Sequence, residues 1–388
     1  MQRMDSGASE RRIKATPKRK ATLPLLCLVV LFLIYMLEKI HVIYSDELIM
    51  RILNLVEWPI YLLAFAYSMV KIRYSRKELF MIFGVCGILA ISFLVSGYAE
   101  LLKGALLIVV LKNEDYVQIQ KTMLRILLLT IMLTLFLYVT GLSNAGIQRR
   151  GKSSLGYFQA NAVGFVLMMM TFLVLTSNDR ITWKLRVELL AVNSLGFILT
   201  DGRTGFIVAC AAIFLINKPL MRFMRKHRFV LVILMGIPIL CCTLTIVSAL
   251  LYPKSLQMQM LDKLVTGRIW LNYYNISHHS IQLFGQNVTL WNMTDSFYNP
   301  VTKAWSTYMT VDNMYVTMLL QMGVLSTAIV FIAYGRLNKK LFACGEYRSA
   351  IILCLLCIYA LMENAVMSIY VCYPFMMLMH RKDSRQLR

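Results

Sequence analysis

Charged residues are scarce in this chain of 388 residues: Asp, Glu, Lys and Arg together make up 15%, whereas an ordinary soluble domain carries about 25%. Acidic side chains are the scarcer sign, with 19 Asp and Glu against 41 Lys and Arg. Hydrophobic residues reach 59%. This balance excludes an ordinary soluble protein and predicts a membrane protein.

Patterns that bind metal or form disulfides are also lacking. The acidic residues form no carboxylate pair at ligand spacing, and a lone His278-His279 pair is more typical of a polar surface than of a metal site. We therefore expect neither a metal nor another cofactor. Nine cysteines are present, but none falls in a predicted external loop, and Cys354-Leu-Leu-Cys357 has no further zinc ligands nearby.

Long apolar runs are abundant. The first, Leu23–Leu37, is followed by Glu38-Lys39-Ile40-His41 and not by small residues, so it is interpreted as a span and not as a cleaved signal peptide. The runs predict an all-α polytopic membrane protein with about 11–12 transmembrane helices. The last two spans could be one kinked span, because Glu363-Asn364 separates them and Pro374 bends the second. The predicted spans are 23–38, 48–70, 79–97, 99–112, 122–142, 159–177, 185–200, 203–217, 229–251, 312–335, 349–363 and 365–380.

The net charge of +22 follows the predicted topology. If the first residues are cytoplasmic, most Lys and Arg fall in the inner segments, which is the positive-inside pattern of membrane proteins. The basic cluster "MRFMRKHR" at Met221–Arg228 then indicates retention or contact with anionic lipid. Nucleic acid is not an expected partner, and both termini are predicted to be cytoplasmic.

The spans and loops divide the chain into six parts. One loop is long, at roughly sixty residues, and loops of this length are commonly functional. Its first half, Met258–Leu283, has helical periodicity that could lie along the membrane surface. No internal repeat supports an inverted-repeat transporter. The parts are a basic cytoplasmic tail at 1–22, N-terminal transmembrane helices at 23–142, core transmembrane helices with external arginine motifs at 143–251, the large external loop at 252–311, C-terminal transmembrane helices at 312–380 and a cytoplasmic tail at 381–388.

Three predicted external segments present arginine near glycine. They are "QRRGK" with Arg149 and Arg150, "DGRTG" with Arg203, and "TGRIW" with Arg268. Lipid headgroup binding and snorkelling are the simpler explanations of such residues. Glycines around Arg203 instead favour a tight turn that brings backbone amides and a guanidinium to one ligand. Because the guanidinium fork suits phosphate oxygens, the three segments indicate a pyrophosphate site at the outer face.

Two acidic residues, Asp312 and Glu57, are further candidates for a functional role. Asp312 and Asn313 begin a span at the predicted outer interface, where they could cap a helix or supply a carboxylate base. Glu57 lies mid-span in "NLVEWPI", with Arg51 on the same segment. A structural ion pair, a cavity-lining role and proton coupling all remain open for it.

In this order, the motifs resemble the O-antigen and capsular polysaccharide polymerase and ligase family, with its Wzy-type polymerases and WaaL-like membrane glycosyltransferases. The resemblance covers about residues 141–378. The resemblance rests on five features in chain order. They are "LGYFQANAVG" after Arg149 and Arg150, "DGRTG" between two spans, "TGRIW" at the opening of the large loop, "VDNMYVTMLLQMGVL" after that loop, and Glu363 before the last span. Ligases of the family keep a histidine where this chain has Asp312, which favours a polymerase.

The resemblance implies a GT-C-like, metal-independent glycosyltransferase at the outer face of a bacterial cytoplasmic membrane. It would join oligosaccharide repeat units carried on undecaprenyl pyrophosphate, alongside membrane lipids and with a flippase and a chain-length regulator as further partners. The product could be capsule, exopolysaccharide or O antigen. The implied catalytic residues are Arg203, Arg268 and Asp312; the implied substrate or pyrophosphate contacts are Arg149, Arg150, Asn161, Trp270 and Asn313; His278 and His279 are possible bases; and Tyr273, Tyr274 and Trp291 offer sugar-stacking faces.

Two rival functions remain. A ligase would transfer finished glycan to another acceptor and differs in its product. A flippase or transporter of lipid-linked glycan would need polar groups along a whole transmembrane path. The predicted charges instead gather outside the spans, apart from a few such as Glu57, Glu100, Lys103 and Arg125, which favours the enzyme.

Overall fold

The computed structural model describes residues 22–143, 152–178, 180–288, 297–299, 304–306 and 312–380. These residues are largely helical, with one antiparallel hairpin of β1 (Phe297–Asn299) and β2 (Ala304–Ser306) in the long loop. The helices are α1 (Leu23–Leu37), α2 (His41–Tyr44), α3 (Glu47–Lys71), α4 (Arg76–Ser96), α5 (Glu100–Val110), α6 (Tyr116–Val139), α7 (Ala160–Ser177), α8 (Trp183–Thr200), α9 (Arg203–Leu215), α10 (Lys218–Lys226), α11 (Phe229–Leu251), α12 (Leu256–Leu264), α13 (Arg268–His278), α14 (Met314–Thr317), α15 (Gly323–Cys344) and α16 (Tyr347–Tyr359).

The long helices have the length and composition of membrane spans. Five helical runs in the described residues qualify: Glu47–Lys71, Arg76–Ser96, Tyr116–Val139, Phe229–Lys254 and Met314–Cys344. A sixth is obtained if α9 and α10, which are bent by 72°, count as one. Large apolar side chains lie outside the packed core, with Phe80 85% exposed and Val70 81% exposed. Such surfaces suit contact with lipid, so the prediction of a polytopic helical membrane protein is confirmed, whereas the number twelve is not.

Predicted spans 99–112 and 365–380 are not regular transmembrane helices. Span 99–112 is the 11-residue α5, which rises only about 16 Å. Span 365–380 contains two short 3₁₀ turns, Asn364–Met367 and Tyr373–Met377, in place of a helix. Predicted span 365–380 is nevertheless largely buried. Lys340 donates hydrogen bonds to the carbonyls of Leu378 and His380 near its end. Hydropathy detects its burial, but Pro374 and the irregular backbone exclude a continuous helix.

The tenth predicted span, 312–335, is a hairpin. The rings of Tyr315 and Phe331 are 6.4 Å apart, whereas about sixteen residues of straight helix would separate them by about 24 Å. The chain reverses at Gly323, whose φ is +83°, after a π-helical turn at Met318–Met322. We call Asp312–Met322 the re-entrant segment. The run Met314–Cys344 therefore contains one full span, α15, and a shorter helix folded back on it.

Part of the long loop packs against the point at which the chain reverses. We call Gln282–Val288 the clasp segment. Its carbonyls at Gln282 and Leu283 each accept a backbone hydrogen bond at 3.1 Å from the first turn of α15, at Val324 and Leu325. These are amides that a helix start otherwise leaves unpaired. The predicted external loop is thus anchored in the helical layer, and its first half forms two helices, α12 and α13, not one.

Glycines of the "DGRTG" motif lie in a helix contact. An added Cβ at Gly205 would meet the Gly164 carbonyl oxygen on α7 at 2.4 Å, and one at Gly202 would meet the Gly164 Cα at 3.2 Å. The expected reason for these glycines was a ligand-binding turn. Close approach of α7 and α9 accounts for both of them.

Gly205→Ala is expected to lower the free energy of unfolding by about 2 kcal/mol, because backbone atoms of Gly164 must move. Gly236→Ala is the matched control, since Gly236 is also helical and a Cβ there meets nothing within 4 Å. Unfolding midpoints in a detergent titration would compare the two. Equal midpoints would contradict the close contact.

Candidate functional site

Three charged side chains from distant parts of the chain form one partly buried cluster. Arg268 Nη2 lies 3.2 Å from Asp312 Oδ2 and 3.3 Å from Glu363 Oε1. The three side chains are 13%, 20% and 18% exposed, respectively. We call this cluster the ion triad. Arg268 opens α13, Asp312 precedes α14 and Glu363 follows α16, so three chain segments converge at one point.

The "TGRIW" motif positions Arg268 by starting a helix. Thr266 and Gly267 adopt left-handed φ values of +60° and +82°. Asp262 then accepts hydrogen bonds through Oδ1 from the amides of Ile269 at 2.7 Å and Trp270 at 3.1 Å. Asp262 is fully buried, and this burial raises its pKa above the ordinary value. Asp262 thus fixes the first turn of α13, which carries Arg268.

Asn313 has a structural role beside the ion triad. Its Oδ1 accepts from the amides of Tyr315 and Val316 at 2.9 and 3.3 Å, which is the helix-cap arrangement. Its Nδ2 donates to the Leu361 carbonyl at 3.0 Å and to Thr245 Oγ1 at 3.2 Å. The sequence left capping and substrate contact open for this position. Geometry supports capping, and Asn313 holds Asp312 close to the segment that carries Glu363.

The ion triad lies several residues along the chain from the helix ends that are predicted to face outward. Ser92, near the end of α4, donates to the Met322 carbonyl at 2.8 Å, so the reversal at Gly323 lies near the outer helix ends. Asp312 precedes Gly323 by eleven residues, which would span about 16 Å as a helix. Thr245, the partner of Asn313, lies about six residues, or about 9 Å, from the end of α11. Asp312 and Asn313 therefore lie several residues from these helix ends, and their place at the outer interface stays a prediction.

Arg203 is not part of the ion triad and pairs with Asp201 instead. Its Nε and Nη2 donate to the two oxygens of Asp201 at 2.9 and 3.2 Å. The Arg203 side chain is 58% exposed. Asp201 adopts the left-handed conformation at φ +55°, ending α8 immediately before α9 begins. Arg203 is accordingly accessible, whereas Arg268 is enclosed.

The first arginine motif is only partly described. Arg149 and Arg150, like Trp291, lie outside the described residues. The following "GYF" pairs with the connection after α1, where the Phe158 amide donates to the Lys39 carbonyl at 3.0 Å. Asn161 is half-buried in the first turn of α7.

Most residues of the expected sugar platform and one of the expected bases share α13 with Arg268. Trp270 is buried and its ring packs 5.5 Å from that of Tyr274. His278 is about ten residues from Arg268 on the same helix, or about 15 Å, and its Nδ1 lies 2.8 Å from the Tyr274 carbonyl oxygen. Burial and the neighbouring His278 lower the pKa of His279. Glu363, matched in sequence only through the family resemblance, is the side chain that accompanies Arg268 and Asp312.

A second ion pair lies between helices of the N-terminal half. Glu57 on α3 pairs with Lys103 on α5, and both side chains are largely buried. The Lys103 ammonium lies 5.7 Å from the centre of the Trp58 ring. Arg51 pairs instead with Glu47, one turn earlier on α3. Among the alternatives for Glu57, the structural ion pair is the one observed, with a partner on another helix.

One cavity has neither the ion triad nor the Glu57–Lys103 pair in its lining. It has a volume of about 420 Å³ and lies among α4, α5, α15 and the C-terminal segment. Its lining is mainly apolar, with Glu100 and Arg336 as charged members. Within the described ranges, no group of three or more His, Cys, Asp or Glu is arranged to hold a metal ion.

Comparison with known proteins finds no relative: no family model, no curated protein and no solved structure matches this chain.

Proposed function

We propose that this protein is a polysaccharide polymerase that joins undecaprenyl-pyrophosphate-linked repeat units at the outer face of the bacterial cytoplasmic membrane. The observation that carries the proposal is the ion triad, in which one guanidinium contacts two carboxylates from distant parts of the chain. A guanidinium can stabilise the leaving pyrophosphate and a carboxylate can accept the proton of the acceptor hydroxyl, so glycosyl transfer can proceed with these groups and without a metal. A GT-C-like architecture is part of the same proposal.

The reaction is a substitution at the anomeric carbon. The acceptor hydroxyl oxygen forms a bond to that carbon, and the bond from the carbon to the pyrophosphate oxygen breaks. The hydroxyl proton passes to a carboxylate, Asp312 or Glu363, and the leaving group departs as undecaprenyl pyrophosphate. Negative charge grows on the pyrophosphate during this step, and Arg268 is positioned to stabilise it.

The two carboxylates that contact Arg268, Asp312 and Glu363, have different roles in this reaction. One remains paired with the guanidinium and keeps it oriented. The other accepts the proton when the pyrophosphate oxygens take its place on Arg268. Arg203, which is more exposed, contacts the incoming pyrophosphate, and Arg149 and Arg150 assist it.

Arg203→Ala tests the proposal in cells. At equal membrane abundance, we expect the ladder of long lipid-linked glycans to be lost, with single repeat units accumulating on the outer leaflet. Lipid-linked glycans would be extracted and resolved by size, and a protein probe added outside would report the leaflet. Arg180→Ala is the matched control, because Arg180 is an exposed arginine in a loop on the predicted cytoplasmic side.

Three outcomes separate the functions. An unchanged ladder would show that Arg203 is not needed for polymerisation and is a surface residue only. Single units on the inner leaflet would indicate transport. A normal ladder that fails to reach its final acceptor would indicate a ligase.

A lipid-linked glycan flippase is the second candidate function. Buried charges argue for it, because Glu57 pairs with Lys103 inside the helical layer and the ion triad is partly buried. Such groups are expected along a polar translocation path. They weaken the sequence-based argument that the charges gather outside the spans.

A further inference from the structure

The short helix α10, Lys218–Lys226, presents a continuous basic face. Lys218, Arg222, Arg225 and Lys226 are all exposed. At 3.6 residues per turn these four positions fall within an arc of about 100°. Between Asp201 and Asp262 the sequence has no acidic residue, so no carboxylate on this stretch neutralises the face.

The opposite face of α10 is already occupied by the protein. Met224 is buried, with 3% of its surface exposed, and Leu220 packs against the main core. The helix also packs against α16. The apolar face therefore anchors α10, and the basic face is turned away from the fold.

Local contacts fix the direction of α10. Arg186 donates to the carbonyls of Ile213 and Ile216, where α9 ends. Asn217 Oδ1 then accepts from the Leu220 amide at 2.8 Å and caps the new helix. The bend between α9 and α10 is 72°, so α10 runs nearly across the direction of the span that precedes it.

Aromatic side chains flank the basic face. Phe223 is 43% exposed and Phe229, which begins α11, is 54% exposed. Their rings are 6.0 Å apart, with His227 between α10 and α11 at 4.5 Å from Phe223. Basic residues beside exposed aromatics on a helix that lies across a span are typical of the boundary between headgroups and acyl chains.

We propose that the basic face of α10 binds anionic phospholipid headgroups at the membrane surface predicted to be cytoplasmic. The site is formed by Lys218, Arg222, Arg225 and Lys226, and it takes phosphate-bearing lipids of net negative charge. Exposed Phe223 and Phe229 insert among the upper acyl carbons. This site is independent of the ion triad and of the proposed polymerase function.

The test measures lipid bound to the purified full-length protein in detergent micelles. Dioleoyl phosphatidylglycerol and dioleoyl phosphatidylcholine would be titrated separately and the bound lipids counted by native mass spectrometry. For the double variant Arg222→Gln/Arg225→Gln we expect the apparent affinity for phosphatidylglycerol to fall by about tenfold, with little change for phosphatidylcholine. High salt should weaken phosphatidylglycerol binding to the wild type.

Lys254→Gln/Lys263→Gln is the matched control, because it removes the same charge from exposed positions in the long loop. It should retain phosphatidylglycerol as the wild type does, and thermal midpoints should confirm that both variants are folded. Equal loss in both variants would overturn the proposal by showing a general charge effect. Undiminished binding of phosphatidylglycerol by the α10 variant would also overturn the proposal. An acidic protein would then be the partner to test for the basic face.

Discussion

Arg268→Ala is expected to abolish the long glycan ladder, with elongation reduced about 100-fold or more. Removal of the guanidinium takes away the group that stabilises the leaving pyrophosphate. It also leaves Asp312 and Glu363 as two neighbouring carboxylates without their shared cation. Loss of one partner from a buried ion pair commonly costs about 3–5 kcal/mol, so membrane abundance must be measured with activity.

Arg268→Lys separates chemistry from folding. Lysine retains the charge between the carboxylates but lacks the planar fork that binds two phosphate oxygens. We expect normal abundance and at least about tenfold slower elongation, measured as growth of the glycan ladder after a pulse of labelled sugar. Full activity of Arg268→Lys would show that Arg268 serves only the fold.

Gly285→Ala is expected to destabilise the protein strongly by separating the clasp segment from the re-entrant segment. A Cβ at Gly285 would lie 1.9 Å from the Gln321 carbonyl oxygen, and the φ of +85° is unfavourable for alanine. Neither the clasp segment nor the re-entrant segment can adjust alone, because the Gln286 amide donates to the same carbonyl at 3.2 Å. We expect the free energy of unfolding to fall by about 3 kcal/mol or more.

Gly97→Ala is the control for this substitution. Gly97 has nearly the same φ, +81°, yet a Cβ there meets nothing within 4 Å. It should lose only the cost of the left-handed conformation, about 1–2 kcal/mol. Detergent-titration midpoints would compare the two variants. If Gly285→Ala is no less stable than Gly97→Ala, the clasp segment does not hold the reversal at Gly323.

Hydropathy predicts those parts of the fold in which a straight apolar helix crosses the membrane. The runs that became α3, α4, α6 and α11 are long enough for their direction to follow from length alone. Hydropathy does not report where a helix reverses. For the run that includes Asp312 and Gly323, composition fits one span, and only the tertiary contact of Tyr315 with Phe331 reveals the hairpin.

The candidate site was partly accessible from sequence. Arg268 and Asp312, selected for their motifs, lie 3.2 Å apart, although their catalytic roles stay predictions. Glu363 joins them because α16 ends beside the re-entrant segment, which no local pattern encodes. His278, named as a possible base, lies at the opposite end of α13 from Arg268, and its role stays a prediction. The glycines near Arg203 were assigned to a ligand because helix packing and tight turns favour the same residue.

Reconstitution tests the central claim most directly. Purified protein in liposomes would receive undecaprenyl-pyrophosphate-linked repeat units in the presence of a metal chelator, with wild type compared with Glu363→Gln. The account predicts that the wild type lengthens the glycan and releases one undecaprenyl pyrophosphate for each bond formed, and that Glu363→Gln does so far more slowly. Movement of repeat units across the bilayer without any elongation would contradict it and would identify a transporter.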